Sequence, residues 1–97
     1  MYVVVIPAYQ PDETLSGVCR GLLDALPDRP WPKVIVVDDG STEPGSQAIF
    51  DALRAMPGLE VLAHAVNRGK GAALKTAFAH VLEAWPEARC EIGRAHV

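Results

Sequence analysis

Cysteine is scarce in this chain. Cys19 and Cys90 are the only two in 97 residues, with no Cys-x-x-Cys pair, so neither a disulfide framework nor a zinc site is expected. A reduced, cytoplasmic chain is the expectation that follows. Positive charge is scarce as well. Lys plus Arg number 9 against 12 Asp plus Glu, a net charge of −3, which leaves no electrostatic footprint for nucleic acid or an anionic membrane. Long apolar runs are missing too. Tyr2-Val3-Val4-Val5-Ile6 stops at Pro7 with no basic residue before it, too short for a signal-peptide core or a membrane span. Internal repeats and low-complexity stretches are absent. What remains, 49% apolar and 22% charged residues in a length that suits one domain, is an ordinary globular composition and excludes disorder or a fibre.

The last seven residues, Glu91-Ile92-Gly93-Arg94-Ala95-His96-Val97, form no periodic pattern. The codons GAG ATC GGA AGA GCA CAC GTC encode them, and all but the first base of that string resembles a short-read sequencing adaptor. Residues 91–97 are therefore expected to be a non-native tail outside the fold, and residues 1–90 the front portion of something longer.

Residues 1–90 alternate between two patterns. Tyr2 to Ile6 and Val34-Ile35-Val36-Val37 are continuous β-branched runs, as in strands buried on both faces of a parallel sheet. Leu59-Glu60-Val61-Leu62-Ala63 carries a charge and better fits an edge strand. Between them Leu15, Val18, Leu22, Leu23 and Leu26 recur at helical spacing after Pro11-Asp12-Glu13. Cys19 lies beside that apolar face and is expected to act as a small hydrophobe. Ile49, Phe50, Leu53 and Met56 repeat the helical pattern before Pro57-Gly58. Leu74, Ala77, Phe78, Val81, Leu82 and Trp85 form the strongest stripe, closed by Pro86, with His80 expected to be exposed. The segment from Pro27 to Pro32 reads as a rigid connector. The order is βαβαβα, an α/β fold with a parallel sheet and right-handed crossovers. A chain this short buries only about 60–65% of its unfolded surface. If the first strand is central, its free edge at Tyr2–Ile6 would be open.

In an open parallel sheet ligands sit beyond the carboxyl ends of the strands. The three segments found there are Pro7-Ala8-Tyr9-Gln10, Asp38-Asp39-Gly40-Ser41-Thr42, and His64 through Asn67-Arg68-Gly69-Lys70-Gly71. Neighbouring strands lie about 4.8 Å apart, so these loops would line one crevice. Each has a plainer reading. Asp-Asp-Gly-Ser before a helix also makes a tight turn with an N-cap, Gly40 supplying a positive φ. Yet two adjacent carboxylates repel, so a donor or ligand is expected to compensate, and a carboxylate there can accept the ring N–H of uracil or guanine. The glycines near Lys70 can simply let helix and sheet pack closely. Against that, Arg68 and Lys70 put two cations at the positive end of a helix dipole, which an anion or the carboxylates of Asp38 and Asp39 would relieve. A Walker A loop fails because Gly71 follows Lys70, and a dinucleotide fingerprint fails because Leu74 stands where a third glycine belongs. His64 reads as a hydrogen-bonded structural residue before it reads as a catalyst, and Tyr9 either packs on the surface or stacks on a base.

Taken together, Val-Val-Val-Ile-Pro-Ala-Tyr at 3–9, Val-Val-Asp-Asp-Gly-Ser at 36–41 and Asn-Arg-Gly-Lys-Gly-Ala-Ala at 67–73 resemble family 2 glycosyltransferases of the GT-A fold, in order and in spacing. The resemblance spans residues 2–90 and leans towards enzymes that move a sugar from a nucleotide onto a polyprenyl-phosphate carrier. It implies a three-layer Rossmann-like sheet, of which this chain carries the βαβαβα half, a nucleotide-binding part over 1–90. By this resemblance Pro7, Ala8 and Tyr9 form a wall against base and ribose, and Asp39 accepts the base N–H. Asp38 orients the loop with Gly40, Val37 touches the base through its backbone, and Asn67 with Arg68 or Lys70 closes the far side. One departure is Gln10-Pro11, where the family usually has Asn-Glu; Asp12 or Glu13 would have to supply that acid.

The resemblance also implies an Asp-x-Asp motif at the end of the next strand, holding a divalent cation (Mg or Mn) on the diphosphate. No such motif follows Trp85, so neither a metal site nor catalytic residues are expected in this chain. The implied whole protein is a transferase that uses a UDP- or GDP-linked sugar to build a cell-envelope or other glycan precursor. A lipid-phosphate acceptor at the cytosolic membrane face would need no strong base, its second pKa being about 6. Two other readings stand beside this one: a Rossmann-type nucleotide enzyme such as an oxidoreductase, and a small non-catalytic α/β module.

Overall fold

The computed structural model describes residues 2–86 and 91–94. Its elements are β1 (Tyr2–Ala8), α1 (Thr14–Ala25), β2 (Val34–Asp39), α2 (Pro44–Arg54), β3 (Leu59–His64), α3 (Lys70–Ala84) and β4 (Glu91–Arg94). The strands form one parallel sheet in the order β3-β2-β1-β4. β1 and β2 are the inner strands, which is why residues 3–6 and 34–37 are β-branched throughout: over those residues each face must be apolar. β3, the strand with a charge, is at an edge.

Alternation along the strands sorts the core into two halves. Val4, Ile6, Val34 and Val36 face α1 and α2, meeting Leu15, Cys19, Phe50 and Leu53. Val3, Val5, Ile35 and Val37 face the other way, onto Ala73, Ala77 and Val81 of α3. Helices thus cover both faces in three layers. The chain steps from β1 through β2 to β3 with its helices on one side. It then reverses past β1 with α3 on the other, as right-handed crossovers require. Burial drives the Cys19 thiol up to about 11, so it stays protonated and packs as the small hydrophobe expected; Cys90 lies outside the described residues.

Several expectations need correction. The buried line of α3 is Ala73, Ala77 and Val81, while Phe78 and Leu82 are 43% and 40% exposed. Successive helical residues are turned by about 100°, so positions 78 and 82 swing away from the line that meets this narrow sheet. His80 is half-buried, its Nε2 2.7 Å from Glu60 Oε2. Glu60 and His64 share the α3 side of β3 with Leu62, so the charge in that strand meets a partner on the helix. The segment from Pro27 to Pro32 is more than a connector: Trp31 packs onto the α3 side of the core with Arg29 over its ring at 5.9 Å, and flanks a cleft of about 330 Å³ opposite Trp85.

The last correction concerns the free edge expected at Tyr2–Ile6. Glu91–Arg94 pairs in parallel with Tyr2–Val5, so that edge of β1 is covered over those residues. Main-chain pairing asks only for an unpaired ladder and an extended segment, so it needs no side-chain signal of the kind missing from residues 91–94.

The two halves of the core predict a contrast. Phe50→Ala should cost about 3–5 kcal/mol, against less than about 1 kcal/mol for Phe78→Ala, measured by urea unfolding. Equal costs would mean that Phe78 is buried.

Candidate functional site

The strand register brings three loops to one rim. Ala8 pairs with Asp38, Asp38 with Ala63, and Asp39 with His64, so the chain leaves β1, β2 and β3 at nearly the same level. Residues 9–13, 40–43 and 65–69 therefore converge.

Period-two alternation separates the two carboxylates that end β2. Asp38 points to the α1/α2 side and Asp39 to the α3 side, both about 95% buried. Their mutual repulsion is relieved by geometry, and each has its own donors. Asp38 Oδ1 accepts the Ser41 N–H at 2.9 Å, closing the turn. Asp39 is the more heavily used. Its Oδ1 accepts the Arg68 N–H at 2.9 Å and its Oδ2 the Gly69 N–H at 2.8 Å. His64 Nδ1 lies 2.8 Å from Asp39 Oδ1, and His64 Nε2 lies 2.7 Å from Thr76 Oγ1 of α3. Burial pushes the Asp39 carboxyl up, but the hydrogen bonds from His64, Arg68 and Gly69, with the charge interaction of His64, outweigh it and hold the group below its ordinary value of 3.8.

Asp39 thereby compensates the amino end of α3. Gly69 is the residue just before that helix, at φ 90, and has no side chain to cap it. The carboxylate of β2 takes over the task, placing negative charge where the helix dipole is positive. Arg68 and Lys70 remain exposed at the rim on either side of Gly69.

Gly40 joins the second loop to the third. It stands at φ 74, and a Cβ there would lie 2.3 Å from Asn67 N and 2.3 Å from Val66 C. The two loops touch backbone to backbone, which only glycine allows.

Gln10 joins the first loop to the second. Its N–H donates to Ser41 Oγ at 3.0 Å, and its Nε2 donates to Thr42 Oγ1 at 2.8 Å. Its Oε1 accepts the N–H groups of Thr42 and Glu43, both at 3.0 Å. The turn after β2 is thus no N-cap of its own. α2 begins at Pro44 with no side-chain cap from Glu43, and the amides ahead of it are satisfied by Gln10 instead. Gln10 adopts a left-handed φ of 48, a strain these bonds sustain. In the sequence it stood out only as a departure from a family pattern.

Tyr9 is 52% exposed beside this clamp, and Asn67 is exposed on the opposite side. Pro7 is half-buried and Ala8 buried. Val37 sits one residue inside the rim, between Pro7 and Leu62, with its side chain fully buried against α3. Its side chain serves packing. Asp12 Oδ1 accepts the Thr14 N–H at 2.9 Å at the start of α1.

Among the described residues no group of three or more His, Cys, Asp or Glu could hold a metal ion. Asp38 and Asp39, facing opposite ways, cannot chelate one ion together. No helix among these residues is long and apolar enough to cross a membrane.

Residues 3–85 match the family Glycosyl transferase family 2. The chain is also similar to a dolichyl-phosphate beta-glucosyltransferase of Trichomonas vaginalis, 28% identical over 85 residues. That alignment covers 80% of this chain and 26% of the relative, so the chain spans about a quarter of that protein's length. No solved structure gives a significant match.

Two outcomes test the site's internal logic. Because the folded Asp39 carboxyl is held low, its contribution to stability is fully present above its ordinary value near 3.8 and is lost as pH falls through the lower folded value. Asp39→Asn should therefore cost about 1–3 kcal/mol in urea at neutral pH, and its deficit should shrink on acidification. Gly40→Ala should destabilise by more than about 1 kcal/mol and shift the amide resonances of Val66 and Asn67.

Proposed function

The chain belongs to glycosyl transferase family 2, and from that premise we propose that its three converging loops recognise the nucleoside end of a nucleotide-sugar. The observation that carries the reading is the interlocked rim itself, with loops from β1, β2 and β3 tied together by Gln10, Gly40 and Asp39. A rim fixed in advance loses little freedom when a ligand docks.

Tyr9 is the exposed aromatic at one end and stacks on the base, with Pro7 and Ala8 behind it. An ionised carboxylate offers about four acceptor directions. Asp39 uses three of them on His64, Arg68 and Gly69, which leaves one on Oδ2 for a base N–H. Asp38 and Gly40 shape the turn beneath. Asn67, Arg68 and Lys70 flank the far side, where two cations suit the diphosphate. The nucleotide is a UDP or GDP, the pyrimidine or purine ring N–H being the feature Asp39 reads.

The transfer belongs to the whole protein. The likeness to a dolichyl-phosphate glucosyltransferase favours a polyprenyl-phosphate acceptor, and with it action at the cytosolic face of a membrane. A lipid phosphate is already ionised at neutral pH and attacks without a strong general base. The divalent ion that neutralises a departing diphosphate finds no group of three or more His, Cys, Asp or Glu to hold it among the described residues of this chain. On this reading residues 1–90 are the nucleotide-recognition part of the domain and do not catalyse transfer by themselves, with 91–97 an added tail.

Titration of the chain with UDP and GDP, followed by amide shifts, should perturb Tyr9, Asp39 and Lys70 with at least one of them. Tyr9→Ala should weaken that binding by about 1–3 kcal/mol, roughly five- to 150-fold. Added manganese should change the affinity little. Silence at all three residues with both nucleotides would overturn the reading.

A further inference from the structure

His64 is among the most enclosed polar groups at the rim. Its side chain is 5% exposed, and both ring nitrogens are engaged. The partner at Nδ1 is a carboxylate, which in its ionised form only accepts. The proton between them therefore belongs to Nδ1. With a single proton on the ring, at Nδ1, the lone pair is at Nε2, and the Thr76 hydroxyl is the donor that meets it.

We propose that His64 is a positioning residue for the nucleotide site, held as the Nδ1–H tautomer between Asp39 and Thr76. The proposal rests on the nucleotide-binding reading and names how the third loop is kept in place for it. The chain leaves β3 at His64, crosses residues 65–69 and enters α3. Thr76 lies on α3 less than two turns after its start, and returns to the ring where the loop began. Asp39 meanwhile grips the middle of that excursion at Arg68 and Gly69. The imidazole thus ties strand, loop and helix to one carboxylate and sets the orientation of that carboxylate. Without it, Asp39 is free to rotate away from the Arg68 and Gly69 amides, and the cations at 68 and 70 lose their fixed place.

The test uses the full chain and three readouts. Long-range nitrogen–proton spectra of the imidazole should show His64 protonated at Nδ1 without any variant being made. His64→Leu should speed amide exchange at Arg68 and Gly69 and weaken UDP or GDP binding, each by about tenfold. His64→Asn, whose amide nitrogen can still donate to Asp39, should restore most of the exchange protection and the affinity. An Nε2–H tautomer would overturn the proposal, and so would unchanged exchange at Arg68 and Gly69 in His64→Leu. Should His64→Leu fail to fold, the tautomer and the exchange rates of His64→Asn decide. Loss of protection without loss of affinity would make His64 structural only and would also overturn it. If the unmodified chain binds neither UDP nor GDP, the nucleotide reading falls by itself, while tautomer and exchange still report on the histidine.

Discussion

The rim depends on one buried carboxylate. Enclosing an ionised Asp39 costs several kcal/mol, and the site exists because the fold returns that cost through two backbone N–H groups and one imidazole. Hydrogen bonds to a charged acceptor are each worth about 1.5–3 kcal/mol, so the three together offset the burial. All three donors lie beyond β2 in the chain, in the segment from His64 to Gly69. That segment can take its shape only once β3 has paired with β2. Position of the loop and solvation of the carboxylate are a single event.

The twin acids show how strand geometry makes two roles from one dipeptide. Side by side in the sequence, they are separated by the thickness of the sheet. Asp38 serves the turn to α2 on one side, and Asp39 serves the entry to α3 on the other. A third strand residue, Glu60, meets a helical histidine on the α3 side in the same manner as His64 meets Thr76. The α3 layer is thus joined to the sheet by polar bonds along β3 and by small apolar residues over β1 and β2. The opposite layer relies on larger side chains, Phe50 foremost.

Much of this was readable beforehand. Two runs of β-branched residues announced inner strands, a glutamate in the third announced an edge, and the polar segments at the strand ends announced the rim. Those signals are local, because each reports what its own residue needs. What escaped was the choice of partner. Nothing near Gln10 says that its amide will serve a helix more than thirty residues on, and nothing near Thr76 says that its hydroxyl will meet a strand end. The exposure of Phe78 and Leu82 escaped for a different reason: a helical stripe specifies an apolar face but not the width of the sheet that receives it. The strand at Glu91–Arg94 escaped because pairing through the main chain leaves no mark in side-chain pattern.

The Gln10 clamp also bears on how the chain comes off the ribosome. Synthesis runs from the amino end, and the residue that satisfies the first amides ahead of α2 is made 32 to 33 positions before them. The cap waits for its helix. A peptide cut to contain α2 alone would have neither that cap nor one of its own, so its helical order is borrowed from a segment translated earlier.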